Sequence, residues 1–271
     1  MKLVATDLDR TLLNDDNLLS DRNLKTLKLL RKNGLITVIV TGRNLYSAHK
    51  VLDSDLPVDY LIFSSGSGIV DWKSKEIIYK RSLNPAEVEE SVKILMRHQA
   101  DFMIHQEIPR NHLFVYYQNG FYNQDFLNRI KLYNDQAGNW NDAVLKKPAS
   151  QILAVIPKAE MNKFFGLRQE LDFVKVIRTT SPLDHKTLWL EIFPENVSKG
   201  HTLKWLSRKL NIPRKNTCSL GNDYNDIDLL EWTRVSYLVA NAPEELKRSY
   251  PQTLSNNEDG FSEWVEKVVL I

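Results

Sequence analysis

The chain reads as an α/β protein, a doubly wound parallel-sheet core interrupted by an inserted α+β domain. Three observations lead there. Near both ends, short apolar runs of strand length alternate with helical patterns, the signature of a parallel sheet. The middle carries more strand per helix. With 271 residues the chain also exceeds the usual single-domain size, so two domains, or one with a large insertion, are expected.

Taken in order, Leu3, Val4 and Ala5 suit a buried parallel strand. Ser20 caps a helix whose Leu24, Leu27 and Leu30 recur at helical spacing, and Gly34 supplies its left-handed stop. A strand over 35–40, a helix over about 44–53 and the strand in DYLIFSS complete one half of the core, and IVDWKSKEIIYK then reads as a hairpin. Asn84 with Pro85 opens a helix to about His98. FMIHQ, HLFVYYQ, ILAVIP, VKVIRTT and LWLEIF are strands, with helical segments only near 122–135 and 158–172. After Ser198 the βα alternation resumes through TCSLG, VSYLVA and a last helix after Gly260. The core is therefore assigned to residues 1–81 and 195–271 and the insertion to 82–194, a size that suits a small domain.

Composition narrows the function. A net charge of +2 without a Lys/Arg block gives no electrostatic footprint for nucleic acid. No apolar run approaches membrane-spanning length, and Lys2 is followed by only three apolar residues before the first polar ones, so neither a span nor a signal peptide is expected and the cytoplasm is the default. The single Cys218 sits in an apolar run, which points to a buried structural thiol and excludes a disulfide within the chain. Nothing specifies an oligomeric state.

The chemistry concentrates at strand ends. KLVATDLDRTLL places Asp7 and Asp9 one residue apart just past the first strand, where an open α/β sheet binds ligands, with Thr11 and Leu12-Leu13 following. ITVIVTGR closes a second apolar strand on Thr41, Gly42 and Arg43. NVSKGHTL puts Lys199 at a helix start, and TCSLGNDYNDIDLL sets Gly221, Asn222, Asp223, Asn225 and Asp226 after another apolar run. In order and spacing these four segments resemble the Cof-type phosphatases of the haloacid dehalogenase superfamily, which carry a large αβ cap (subfamily IIB), and the resemblance covers nearly the whole chain.

The resemblance implies a magnesium-dependent phosphomonoesterase for a small phosphorylated metabolite, most readily a sugar phosphate. Asp7 would attack phosphorus to form an aspartyl phosphate, while Asp9 would protonate the leaving alkoxide and later deprotonate water. Magnesium would be held by Asp7, the backbone carbonyl of Asp9 and Asn222, and Lys199 would neutralise nucleophile and phosphate. Thr41, the amides of Leu8 and Gly42, and Asn225 would cradle the phosphate, with Arg43, Asp223 and Asp226 supporting from behind. The residues argue independently for a hard cation: two carboxylates facing a phosphate repel it, and the candidate ligands are oxygens without a His/Cys cluster.

Three departures from the family pattern stand out. Asn222 replaces an anionic ligand, so either metal affinity falls or Asp223 takes its place. Arg10 stands where a glycine is usual; it is not expected to take up glycine's backbone angles, and it either offers its guanidinium to substrate or lies on the surface. Ser65-Gly66-Ser67 replaces Asn-Gly-Ala, which alters a family contact. Other motifs fail: a calcium loop through Asp223, Asn225 and Asp228 lacks its glycine and its final glutamate, and Gly66-Ser67-Gly68 lacks the third glycine of a dinucleotide fingerprint. His105 and His112 lack metal-like spacing, and Phe114, Tyr116 and Tyr117 alternate as a strand that packs the cap. A phosphomutase or phosphonatase on the same core, a receiver-like regulatory domain and a binding-only phosphatase are the alternatives. The chain's length and the acid at Asp9 argue against a receiver, and retention of Asp7, Asp9, Thr41 and Lys199 argues against a dead enzyme.

Overall fold

In the computed structural model, which describes residues 1–120, 122–181, 183 and 187–270, the strands in chain order are β1 (Leu3–Thr6), β2 (Ile36–Val40), β3 (Tyr60–Phe63), β4 (Gly68–Asp71), β5 (Ile77–Lys80), β6 (Asp101–His105), β7 (Phe114–Tyr117), β8 (Ala137–Gly138), β9 (Gln151–Ile156), β10 (Lys175–Thr180), β11 (Leu188–Phe193), β12 (Thr217–Gly221), β13 (Val235–Val239) and β14 (Gln252–Thr253). They form one sheet of order β14-β13-β12-β1-β2-β3-β4-β5 and a second of order β10-β11-β9-β6-β7-β8. The chain divides into two compact units, Met1–Tyr79 with Ser198–Ile271, and Lys80–Val197.

In the first unit β14, β13, β12, β1, β2 and β3 run parallel, and β4 pairs antiparallel with β3. Leu3, Ala5, Val38, Val40 and Ile62 face one way and pack on Leu203 and Leu206 of the helix Lys199–Lys209 and on Leu229. The helix Asp21–Lys32 contacts β2 and the helix Gly260–Trp264, burying Leu27 and Leu30. Its start is the expected one, Ser20 accepting from the Asn23 amide. The sheet is thus doubly wound. Strand order reverses between β12 and β1, and ligands bind at such a reversal, beyond the carboxyl ends of the strands. The helix expected over 44–53 is shorter, Leu45–Ala48, because the chain turns soon after its Asn44 cap, through Asp53 and Ser54 toward Pro57.

The second unit is an α+β layer. Its strands pair antiparallel except β8, a two-residue strand parallel to β7 that no apolar pattern announced. One face buries Phe102, Ile104, Ile152, Ala154, Leu190 and Ile192 against the helices Pro85–Arg97 and Met161–Glu170. Part of the other packs Met103, Leu153, Val155 and Trp189 on Phe126 of the helix Gln124–Leu132. Tyr117 stacks on Phe102 while Phe114 and Tyr116 join the second cluster, so these aromatics are packing residues. His105 is buried there as well.

Candidate active site

Asp7 extends β1 by one more ladder bond, its amide donating to the Leu220 carbonyl of β12 at 2.9 Å. The chain then coils through Leu8–Leu12 and closes with Leu13 N–H on the Leu8 carbonyl, so that Thr11 Oγ1 reaches back to Asp7 Oδ2 at 2.9 Å. Arg10 makes this coil by adopting φ 56°, ψ 24°, the left-handed conformation not expected of it. A single left-handed residue costs roughly 1–2 kcal/mol, which a well-bonded loop can offset. The Arg10 carbonyl accepts from Asn241, and its side chain, nearly half exposed, pairs with Asp15 at 3.4 Å.

Lys199, 1 % exposed, opens its helix behind the Ser198 cap and drives its ammonium between two carboxylates, 2.6 Å from Asp7 Oδ1 and 2.6 Å from Asp226 Oδ1. It also donates to Asn225 Oδ1 at 3.3 Å. Burial disfavours its charged form, but Asp226 and Asp7 outweigh burial and hold it above its usual range. Asp7 shows the complementary strain: burial pushes its carboxyl up to about 7, with Lys199 pulling down and Asp226 and Asp9 pushing further up. One lysine serves more negative charge than it neutralises.

The fourth motif is wound tightly around Asp226. Its Oδ2 accepts the amides of Asn222 (2.8 Å) and Asp223 (3.1 Å), while its Oδ1 takes Lys199, so both oxygens are engaged. Gly221 is required for this: a Cβ there would lie 2.7 Å from Asp226 Cβ. Thr41 and Gly42 end β2, and a Cβ on Gly42 would meet Ser65 Oγ at 3.5 Å and Asn225 Nδ2 at 3.7 Å. The second and fourth motifs therefore converge, with the Asn225 carbonyl on Lys199 and its amide nitrogen toward Gly42. Asp9 turns instead to Arg43, whose Nε donates to both its oxygens at 2.9 Å. Leu8, between the two acids, buries its side chain completely.

The donor chemistry fits a hard cation. Asp7 has one hydrogen bond on each oxygen and so keeps lone pairs free, since a carboxylate offers about four acceptor sites. Among the described residues no three His, Cys, Asp or Glu side chains are placed to hold a metal, so a carboxylate cage is absent and neutral oxygens must complete any site. Magnesium, commonly held by one or two carboxylates with waters and substrate phosphate, suits that set. Sequence reasoning did not place Thr11 or Ser65 among the site residues. Thr11 was legible only as part of a motif, and Ser65, buried with φ 52°, gave no signal beyond an unusual Ser-Gly-Ser.

Residues 4–265 match the family of haloacid dehalogenase-like hydrolases, and the chain belongs to that family. Its relatives include the 5-amino-6-(5-phospho-D-ribitylamino)uracil phosphatase YwtE of Bacillus subtilis, 26% identical, with 99% of this chain and 98% of that protein aligned. Phosphatase YwpJ of the same organism is 23% identical over 99% of this chain and 100% of its own length. Among solved structures, BT1666 from Bacteroides thetaiotaomicron superposes with a TM-score of 0.81 at 17% identity, covering 100% of this chain and 96% of that one. The HAD subclass IIB sugar phosphatase BT4131 gives 0.80 at 18% identity with complete coverage of both, 100% and 100%. These two similarities establish the fold, a core with a cap.

Proposed function

We propose that the protein is a magnesium-dependent phosphomonoesterase that works through a phosphoryl group carried on Asp7. The observation that carries this reading is the position of Asp7: at the end of a central strand, with Lys199 on one oxygen and Thr11 on the other, so that its carboxylate is held in place where the sheet binds ligands. Phosphoryl transfer asks the protein mainly for positioning and for positive charge on the transferring oxygens. Lys199 supplies that charge and screens nucleophile from phosphate. Asn225 and the Thr41-Gly42 turn receive the phosphate oxygens. Asp9 gives a proton to the leaving oxygen and takes one from the attacking water in the second half-reaction. When bound, magnesium would add positive charge and orient the phosphate, held by Asp7, the Asp9 carbonyl and a fourth-motif residue. Asp226 is fully buried, with its Oδ2 filled by two amides and its Oδ1 on Lys199, and is read as the brace of the fourth motif, so Asn222 or Asp223 is assigned that last role.

The substrate class is a small phosphorylated metabolite, with a sugar or sugar-alcohol phosphate first. The names of YwtE and BT4131 support this. The unit Lys80–Val197 is assigned the selection among substrates. Phosphate release from a panel of phosphorylated metabolites with and without magnesium tests the reading. Magnesium-dependent release from a sugar phosphate is expected, and no release from any monoester would refute it.

A further inference from the structure

Asp9 is the one group in the proposed chemistry that must sit within hydrogen-bond reach of a reacting oxygen in both half-reactions, yet its own backbone is extended (φ −74°, ψ 127°) and its side chain is 37% exposed. Something must hold it. Thr41 Oγ1 lies 3.5 Å from Asp9 Oδ2, too long for an O–H···O bond to anchor it. Arg43 makes three contacts instead: Nε to both oxygens at 2.9 Å and Nη2 to Oδ1 at 2.5 Å. The guanidinium is itself tied down, Nη2 donating to Asn17 Oδ1 at 2.7 Å and Nη1 reaching Ser47 Oγ at 3.4 Å, and its amide donates to Thr41 Oγ1 at 3.1 Å.

Asn17 does not follow Arg43 passively. The turn that carries it is closed on itself: Asn14 N–H donates to the Leu18 carbonyl, and Asn14 Oδ1 accepts from the Asp16 and Leu18 amides at 3.0 and 2.9 Å. Asn17 stands in this turn at φ 61°, a left-handed position that asparagine tolerates better than most residues. Asn17, in the turn before the first core helix, and Ser47, in the helix after β2, thus both contact the guanidinium. We infer that Arg43, steadied by Asn17, is the positioning residue for Asp9, and that the chain Asn17–Arg43–Asp9 sets where the proton donor stands.

This inference rests on the phosphomonoesterase reading, and the experiment separates the two. The quantity measured is kcat/KM for p-nitrophenyl phosphate and phenyl phosphate, because kcat/KM covers binding and phosphoryl transfer to Asp7 but not hydrolysis of the phosphoenzyme, and the poorer leaving group needs the proton more. Asp9→Asn sets the reference: a larger loss on phenyl phosphate, within the roughly 10² to 10⁴ range typical of a general acid. Arg43→Gln should show the same bias with a loss of about 10- to 100-fold on phenyl phosphate, as for other residues that orient an active-site group. Arg43→Lys should recover part of it, and in the Asp9→Asn background Arg43→Gln should cost less than about twofold more, since residues acting as one unit are not additive. Asn17→Ala, at an exposed position, should show the bias more weakly, and Asn17→Asp, which keeps an acceptor for the guanidinium, should show less of it than Asn17→Ala.

Equal losses on the two esters, or losses that multiply with those of Asp9→Asn, would overturn the inference and place Arg43 on the phosphate itself. Unchanged rates in Arg43→Gln and Asn17→Ala would overturn it too, leaving a surface ion pair. If Arg43→Gln does not fold, Asn17→Ala and Arg43→Lys decide by the same criterion. A wild-type protein that hydrolyses neither ester would remove the underlying function, and an active one whose Asp9→Asn variant shows no bias would remove the role of Asp9.

Discussion

At the scale of single residues, the site is a problem of charge. Asp7, Asp9 and Asp226 converge on Lys199 and Arg43, and a phosphate adds more negative charge. Asn222 then stands out as a neutral amide at a place where the family pattern has an anion. Asn222→Asp should tighten magnesium binding without substrate, because magnesium gains most from carboxylate oxygens. Calorimetric titration with magnesium, alone and with a phosphate analogue, reads this directly; unchanged affinity would take Asn222 out of the metal's coordination and favour Asp223. Asp7→Asn should fold normally and lose about 10⁴ to 10⁶ in rate, the typical cost of removing a nucleophile. Each of these acids was legible in the sequence, not from one polar motif, which alone is common in turns, but from four segments at strand ends or helix starts that stand together in the order and spacing of one family. Which partner each one chooses was not. Pairing of Asp9 with Arg43 and of Lys199 with Asp226 depends on side-chain direction across elements far apart in sequence, and only the folded chain supplies that.

At the scale of elements, the site depends on how closely its helices and turns approach. A Cβ built on Gly200 would lie 2.0 Å from the Asp228 carbonyl oxygen, so the helix that carries Lys199 runs against the backbone next to the fourth motif. Gly200→Ala must push these segments apart. A stability loss of at least about 1–3 kcal/mol in denaturant unfolding is expected, the usual cost of overpacking, with activity falling as Lys199 shifts from Asp7. Unfolding midpoints equal to wild type would show that the contact yields freely. Strand positions were largely readable from apolar runs, whereas β8 and the shortened helix Leu45–Ala48 were not, since two residues carry no periodicity and one helical turn is set by its cap and by the turn next to it in the chain.

At the scale of the whole molecule, the inserted unit carries a buried titratable group and is assigned a role of its own. In the unit Lys80–Val197, burial and Arg129 push the His105 imidazole down to about 3, against the pull of the Asn111 carbonyl, so the folded chain keeps it neutral. An unfolded histidine titrates near about 6.5, so below that pH the unfolded state binds a proton that the folded state refuses. Stability conferred above about pH 6.5 should therefore be lost as pH falls toward about 3, by up to roughly 1.4 kcal/mol per unit from this group. The stability of His105→Gln should fall less steeply than wild type over that range, and parallel curves would contradict the assignment. If the same unit selects substrates, a chain in which a short linker joins residue 79 to residue 198 should keep magnesium binding and lose discrimination among phosphate esters. Equal selectivity with and without the inserted unit would contradict that role.

The central claim is that phosphate passes through a covalent bond to Asp7. Acid quench of the enzyme during turnover of a good substrate, followed by peptide mass mapping, tests it most directly. The account predicts a phosphoryl group on the tryptic peptide spanning residues 3–10, absent from Asp7→Asn and still formed in Asp9→Asn with an activated aryl ester. Phosphate released at full rate with no phosphopeptide at any time point, together with an Asp7→Asn variant that keeps more than about a tenth of wild-type turnover, would contradict it.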